Sequence, residues 1–249
     1  MDRLIYITMT GAQQTFEHQA VTAHNLANAG TNGYKAETAS FRAAPVQGGQ
    51  GMPTRAYAVA SSTGADLSGG TIQKTGRDLD VAIQGDGFFA VQGRDGNEAY
   101  TRDGGFEIDT EGQLQTRGGL PVLGEGGPIV IPQDSTVSIG QDGTVSVTTN
   151  GQSAANVTVV GKLKLVNPAK GDVIKGPDGL FHSKGGATIE ADLNVTVVSG
   201  AIESSNVNTV ASMVDMINLA RQFDMHMKML QSVDANAQHA TELLQTSAS

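Results

Sequence analysis

The sequence predicts an α+β fold, with long N- and C-terminal α-helices pairing as a coiled coil and an all-β central body of short antiparallel strands. Two patterns lead to this prediction. Towards both ends of the chain, apolar residues recur in alternating steps of three and four, which is the spacing of a helix that packs along one face. In the middle, short β-branched runs are separated by Asp-Gly and Asn-Gly pairs, which are typical of strands joined by tight turns.

The N-terminal helix is predicted from a regular apolar spacing that ends in a turn. The spacing passes through Ile5, Met9, Ala12, Phe16, Gln19, Ala23 and Leu26, all apolar except Gln19. We expect the helix to end between Asn28 and Gly33, because Gly adopts the left-handed conformation that closes a helix and Asn-Gly favours a tight turn. Residues 1–33 are therefore assigned to a terminal helical domain.

A connector and a β-rich body follow this helix. Residues 34–70 show no sustained period, contain Pro45 and Pro53, and are expected to form an extended connector. Residues 71–200 are assigned to the β-rich body domain, where the period changes to two. Its predicted strands include the runs at 80–84, 88–92, 136–139, 144–147 and 162–166, and its predicted turns include Asp86-Gly87 and Asp142-Gly143.

The longest regular pattern lies between residues 207 and 245. Alternating steps of three and four pass through ten positions, of which all but Asp234 and Thr241 are apolar: Met213, Met216, Ala220, Phe223, Met227, Leu230, Asp234, Ala237, Thr241 and Leu244. This segment contains neither Gly nor Pro, and at 1.5 Å per residue it gives a helix of roughly 58 Å. We expect residues 201–249 to join residues 1–33 in one domain as an antiparallel pair of helices. Met225 and Met229 lie off the main pattern, so apolar surface on a second side favours several packing partners.

Composition excludes several classes of protein. The net charge of −9 and the pI of about 4.9 argue against binding to nucleic acid and to an anionic membrane surface. No apolar run approaches the ~20 residues of a membrane span, so no direct membrane insertion is expected. The chain contains no Cys, and its first residues lack the pattern of a cleaved secretory signal. Any export is expected to use a route that does not read such a signal.

No catalytic, cofactor-binding or metal-binding residues are predicted, and we do not expect an enzyme. The histidines lack metal-ligand spacing, and the Asp-Gly pairs lack the other ligands of a calcium loop. Nucleophile and phosphate-loop motifs do not occur. Asp78 and Asp80 lie one residue apart and could form an acid–base pair, but a salt bridge to Arg77 or simple solvation is the better interpretation.

Three stretches resemble the signatures of bacterial flagellar rod and hook proteins. They are Ala27-Asn28 with Gly33-Tyr34-Lys35, Leu79 to Phe89 with Tyr100-Thr101-Arg102-Asp103-Gly104, and Ser204 to Asn208 leading into 213–217. They occur in the family's order and together cover nearly the whole chain. The sequence is therefore identified as similar to the flagellar basal-body rod protein family, with the greatest likeness to its proximal-rod branch.

This resemblance implies a structural axial subunit of the proximal rod, which polymerises through its terminal helices to form part of the drive shaft and export channel. The implied partners are other rod proteins and copies of itself, reached through the flagellar export apparatus, and the implied location is the periplasmic rod of the basal body. The assembly interface is predicted at Ile5, Met9, Phe16, Leu26, Asn28, Gly33, Met213, Met216, Phe223, Met227, Leu230 and Leu244. Alternatives are a distal-rod or hook-type axial subunit, a secreted β-rich surface filament or adhesin, and a cell-wall enzyme.

Overall fold

The chain contains two compact units. The computed structural model describes residues 2–45, 56–149, 157–169 and 171–246, with side chains for 5–40, 64–149, 157–169, 171–236 and 238–239. The first unit, called the helical unit, contains Met1–Ala27, Glu37–Gly64 and Asn208–Ser249, and the second, called the body, contains Asn28–Ala36 and Ala65–Val207. Helices occur near both ends of the chain and strands between them, so the α+β class agrees with the sequence prediction.

The helical unit contains both helices and one pair of strands. Its elements are α1 (Asp2–Ala27), β1 (Glu37–Pro45), β2 (Ala56–Ala65) and α2 (Thr209–Thr246). β1 and β2 form a two-stranded sheet within the segment predicted to be an extended connector. Asn25 of α1 holds the start of β1, because its Nδ2 donates to the Glu37 carbonyl at 2.9 Å and its Oδ1 accepts from the Glu37 amide at 2.8 Å.

The two helices contact each other, but not as the predicted coiled coil. Among the described side chains, the buried ones on α1 are Thr8, Ala12, Thr15 and Thr22, and those on α2 are Leu219 and Val233. Alternate positions of each predicted seam face solvent instead. Met9 and Phe16 are 52% and 61% exposed, and Met213 is 53% exposed. The predicted coiled-coil pairing is therefore wrong.

The physical reason on α1 is that threonine takes the buried positions. Thr8, Thr15 and Thr22 donate hydroxyl hydrogen bonds to carbonyls of their own helix, at distances of 2.9, 2.9 and 3.0 Å. Each hydroxyl is satisfied without water, so the side chain can be buried at little cost. A pattern that counts only apolar residues passes over these threonines and selects the larger neighbours at 9 and 16.

The body consists of short strands. In chain order they are β3 (Ile72–Lys74), β4 (Val81–Gln84), β5 (Phe88–Gln92), β6 (Glu98–Thr101), β7 (Phe106–Ile108), β8 (Leu114–Thr116), β9 (Leu123–Gly124), β10 (Gly127–Pro128), β11 (Ser135–Ile139), β12 (Thr144–Thr149), β13 (Val157–Lys162), β14 (Leu165–Val166), β15 (Val173–Lys175), β16 (Phe181–Ser183), β17 (Thr196–Ser199) and β18 (Ala201–Glu203). Their pairings are antiparallel. The predicted turn at Asp142-Gly143 joins β11 to β12, and Gly143 has a φ of 82°.

Two sheets and several strand pairs organise the body. The larger sheet has the order β14-β5-β6-β16-β15, and the smaller has the order β11-β12-β13. β17 pairs with β4, and β18 pairs with β3, so that Glu203 lies opposite Ile72. The last two strands of the body therefore pair with its first two strands.

The body is packed mainly by aliphatic side chains. Its largest buried cluster includes Val81, Val91, Leu114, Val145 and Leu163. Two aromatic rings within it, Phe89 and Phe106, meet edge to face with their centroids 5.2 Å apart. A smaller cluster contains Phe88, Ala90, Tyr100, Val166 and Phe181.

Candidate functional site

The three stretches that resemble rod and hook signatures meet inside the body. Lys35 belongs to the N-terminal stretch, and Arg102 follows β6 in the middle stretch. Glu203 ends β18, directly before the C-terminal stretch. The three side chains are no more than 3% exposed. They form one buried group of charges, named here the ion cluster.

The carboxylate of Glu203 binds both cations of the ion cluster. Its Oε1 lies 2.7 Å from Nζ of Lys35, and its Oε2 lies 2.9 Å from Nη1 of Arg102. The amide of Gly70 also donates to Oε1 at 2.7 Å. One buried carboxylate thus accepts three hydrogen bonds, of which two come from cations and are the stronger kind.

Each cation also donates to a backbone carbonyl, whereas Nε of Arg102 is buried without a hydrogen-bond partner. Nζ of Lys35 donates to Ser68 at 2.6 Å, and Nη2 of Arg102 donates to Gly85 at 2.6 Å. Burial lowers the pKa of Lys35 and of Arg102, because removal from water disfavours the charged forms, while the carboxylate of Glu203 opposes both shifts. Glu203 therefore supports the charged state of both partners.

Gly33 is a point of very close approach between the N-terminal and middle stretches. Its φ is 65°, and its amide donates to the carbonyl of Glu203 at 2.8 Å. A Cβ atom at this position would lie 2.3 Å from the carbonyl carbon of Arg102 and 2.3 Å from the amide nitrogen of Asp103. Both the left-handed backbone and the lack of space require glycine.

Asn206 connects the C-terminal stretch to two other segments of the body. Its Nδ2 donates to the Asp66 carbonyl at 2.9 Å, and its Oδ1 accepts from the Ala36 amide at 2.7 Å. Its own amide donates to the Tyr34 carbonyl at 3.3 Å. These bonds hold the N-terminal and C-terminal stretches side by side, next to the ion cluster.

The helical unit carries a second feature, an apolar surface that is exposed on both helices. On α2, Ile217 is 55% exposed and Met225 is 60% exposed. Among the side chains that the structure describes on the two helices, the other large exposed apolar ones are Tyr6, Met9, Phe16, Val210, Met213, Val214, Met227 and Met229. These ten residues are named here the outer helical surface.

The predicted interface residues fall into three groups. Half-buried side chains on the helices are Ile5, Leu26, Met216, Phe223 and Leu230. Members of the outer helical surface are Met9, Phe16, Met213 and Met227. Two lie in the body: Gly33, and Asn28, whose carbonyl accepts from the Thr31 amide at 3.1 Å. The side chain of Leu244 lies outside the described residues.

Phe16 and Phe223 face each other across the helices, with ring centroids 6.4 Å apart.

Comparison with known proteins gives two family matches and full-length relatives. Residues 82–147 match the flagellar hook protein FlgE/F/G D1 domain, and residues 198–243 match the flagellar basal body rod FlgEFG protein C-terminal domain. The chain is 47% identical to the flagellar basal-body rod protein FlgF of Escherichia coli (strain K12), over 99% of this chain and 100% of that protein. It is 45% identical to FlgF of Salmonella typhimurium (strain LT2), with the same coverage.

The chain belongs to the flagellar basal-body rod protein family. FlgG of Buchnera aphidicola subsp. Acyrthosiphon pisum, also a flagellar basal-body rod protein, is 33% identical over 96% of this chain and 98% of that protein. The two rod-family matches contain Arg102 and Glu203 respectively, whereas Lys35 lies outside both. The ion cluster therefore joins separately matched regions to the N-terminal stretch.

Sequence reasoning did not predict the ion cluster of this rod-family protein. Lys35 and Arg102 each lie within one of the signatures, and Glu203 lies outside all three. A signal was present, because a basic residue occurs in each of the first two signatures and an acidic residue directly precedes the third. The sequence does not show that these three residues, which are far apart in the chain, lie close together in space.

The remaining polar candidates have structural partners. Asp80 is buried and lies 3.6 Å from Arg77 and 3.3 Å from Arg117, so the predicted salt bridge to Arg77 is present. Within the described parts of the chain, no three His, Cys, Asp or Glu side chains are grouped to hold a metal ion. No helix among the described residues has the length and apolarity that a membrane span requires.

Proposed function

We propose that this chain is a structural axial subunit of the bacterial flagellar basal-body rod, in its proximal part, and that it polymerises through its two terminal helices. The observation that carries the proposal is the outer helical surface, ten large apolar side chains on α1 and α2 that are exposed in the single chain. Exposed apolar patches of this kind mark protein–protein contacts. The role is mechanical and needs no catalytic residue.

Burial of this surface supplies the energy for assembly. Moving a Met, Val or Ile side chain from water into a packed interface is worth about 1.5–3 kcal/mol. Met225 and Met229 differ in position from Met213 and Ile217, so one neighbouring helix would leave part of the surface in water. Met adapts to irregular surroundings, which suits contacts with several non-identical neighbours. The proposed partners are copies of this chain and other rod proteins. The subunits reach them through the flagellar export apparatus.

The predicted interface residues take different parts in this assembly. Met9, Phe16, Met213 and Met227 contact neighbouring subunits, and Ile5, Leu26, Met216, Phe223 and Leu230 hold α1 against α2. Leu244 extends the interface along α2 on the basis of its spacing in the sequence. Asn28 and Gly33 fix the end of the N-terminal stretch within the body. The helices thus form the assembly domain, and the β-rich part forms the body domain.

The test is a motility assay with charges placed on the outer helical surface. In a strain that lacks its own copy, Ile217→Asp and Met225→Asp are expected to abolish swimming, because each buries a carboxylate at a subunit contact. The matched control is Gln222→Asp, which adds the same charge at an exposed polar position of α2. Circular dichroism of the purified variants checks that the chain still folds. Normal swimming by both surface variants would contradict the proposal.

Cross-linking in isolated basal bodies checks the position within the rod. Contacts with proximal rod proteins support the proposal. Contacts restricted to the distal rod or the hook would contradict the proximal location while leaving the axial role intact.

A further inference from the structure

The ion cluster contains more positive than negative charge. Lys35 and Arg102 are cations, and Glu203 is the carboxylate that contacts both of them. All three side chains are almost fully buried. Without Glu203, the two cations would remain buried with no carboxylate in contact, although the charge of Asp66 still acts on Lys35 and that of Asp86 on Arg102. An unpaired buried charge is far more costly than a solvated one, so the closed body depends mainly on the one anion that contacts both cations.

The three charges come from distant parts of the chain. Glu203 is 168 positions from Lys35 and 101 positions from Arg102. Both cations therefore precede their shared anion in the chain. In any process that starts from the N-terminus, such as synthesis, Lys35 and Arg102 emerge before Glu203. Until Glu203 is available as a partner, Lys35 and Arg102 have to remain solvated, and the segments that carry them cannot pack into the body.

Backbone hydrogen bonds close around the same residue. The amides of Gly33 and Gly70 donate to the carbonyl and to the carboxylate of Glu203, at 2.8 and 2.7 Å. The amide of Ser204 donates to the Thr71 carbonyl at 2.9 Å. Docking of the segment around Glu203 thus provides acceptors for amides of two other segments at the same time as it brings a carboxylate to the cations.

We infer that Glu203 is the closure residue of the body, and that residues 33–36 and 66–71 become ordered only when residues 201–206 dock and bring its carboxylate to Lys35 and Arg102. This inference goes beyond the proposed assembly role and does not rest on it. The segment that follows α1 and the segment that precedes α2 are ordered together or not at all. A partial chain in which residue 203 is not yet available therefore cannot complete the folding of the body.

Hydrogen exchange of backbone amides in the full-length protein tests this coupling. In the wild-type protein, the amides of Gly33, Ala36 and Gly70 are expected to be protected. In Glu203→Gln, which keeps the size of the side chain but removes its charge, these amides are expected to exchange on the order of 100-fold faster. The amide of Ala90, which bonds to Lys164 within the five-stranded sheet region, serves as the internal reference.

A second variant separates loss of charge balance from loss of a contact. Lys35→Met removes one cation and leaves Arg102 and Glu203 as a balanced pair. Its amides at Gly33 and Gly70 are expected to stay within about tenfold of the wild-type rates, because no uncompensated charge is buried. The double variant Lys35→Met with Glu203→Gln retains one unpaired cation and is expected to exchange faster than Lys35→Met alone.

The exchange rates in Glu203→Gln and Lys35→Met together test whether Glu203 closes the body. Fast exchange confined to residues 33–36 and 66–71 in Glu203→Gln supports it. If Glu203→Gln also releases Ala90, the whole body has opened, and continued protection in Lys35→Met still supports the inference. Unchanged protection at Gly33 and Gly70 in Glu203→Gln overturns it, and so does equal opening in Glu203→Gln and Lys35→Met.

Discussion

The imidazole of His226 on α2 packs against the backbone of α1 at Gly11. A Cβ atom added to Gly11 would lie 2.8 Å from Cε1 of the ring, which is closer than an unstrained contact allows. Glycine within a helix costs about 1 kcal/mol relative to alanine. The missing side chain at residue 11 therefore provides the space that the ring occupies between the helices.

Gly11→Ala is expected to behave differently with and without this ring. In the wild-type background, the gain in helix propensity of about 1 kcal/mol is offset by displacement of His226, so the free energy of unfolding changes little. In the His226→Ala background the same substitution is expected to stabilise the helical unit by about 1 kcal/mol. Urea unfolding followed by circular dichroism measures all four proteins of the cycle. A coupling below about 0.3 kcal/mol would show that the contact is unimportant.

Gly33→Ala is expected to destabilise the body strongly. The new Cβ atom would meet the backbone at Arg102 and Asp103, and the φ of 65° adds strain for any residue with a side chain. We expect a loss of at least about 2 kcal/mol, measured by urea unfolding. Gly30→Ala is the matched control, because Gly30 is exposed and has no atom within 4 Å of an added Cβ. Equal stability of the two variants would exclude a special requirement at residue 33.

Tyr100 is expected to make the body sensitive to high pH. Its side chain is fully buried, and its hydroxyl oxygen accepts a hydrogen bond from the Ile189 amide at 2.8 Å. Burial raises the pKa of Tyr100 to about 12 from the usual value of 10. Because the folded pKa is the higher one, the stabilisation is complete below about pH 10 and is lost as the pH rises towards 12.

Tyr100→Phe is expected to remove this loss, since phenylalanine has no proton to release. The variant starts with lower stability at neutral pH because the Ile189 amide loses its acceptor. The wild-type protein is expected to lose roughly 2–3 kcal/mol more than the variant across that alkaline range. Unfolding experiments at a series of pH values measure the difference. Tyr6→Phe on the exposed side of α1 should follow the wild-type curve, and an equal slope in all three proteins would refute the assignment.

Local sequence patterns were sufficient for the α+β class, for the two helices and for tight turns in the body. The segment predicted as a helix from 207 to 245 is α2, Thr209–Thr246, because an unbroken run without Gly or Pro is a strong local signal. The Asp142-Gly143 turn is equally local, since glycine supplies the positive φ that the turn needs. The strands of the predicted connector were missed because residues 34–70 have no regular period.

The contact faces of the helices required more than the apolar pattern. Thr8 and Met9 are neighbours, and a scale of hydrophobicity selects Met9. Thr8 is nevertheless the buried one, and its hydroxyl is satisfied by a hydrogen bond to its own helix. Which of two adjacent residues faces a partner depends on the shape of that partner, and only the packed structure supplies it.

The sequence by itself determined an α+β chain with helices at both ends, a β-rich middle, turns at Asp-Gly pairs and membership of the rod family through its signatures. These properties follow from local spacing and composition, which act between near neighbours. Only the tertiary structure decided that Lys35, Arg102 and Glu203 share one buried site. Their attraction becomes strong only after the chain folds and removes them from water, so charges that are distant in sequence acquire a common role through burial.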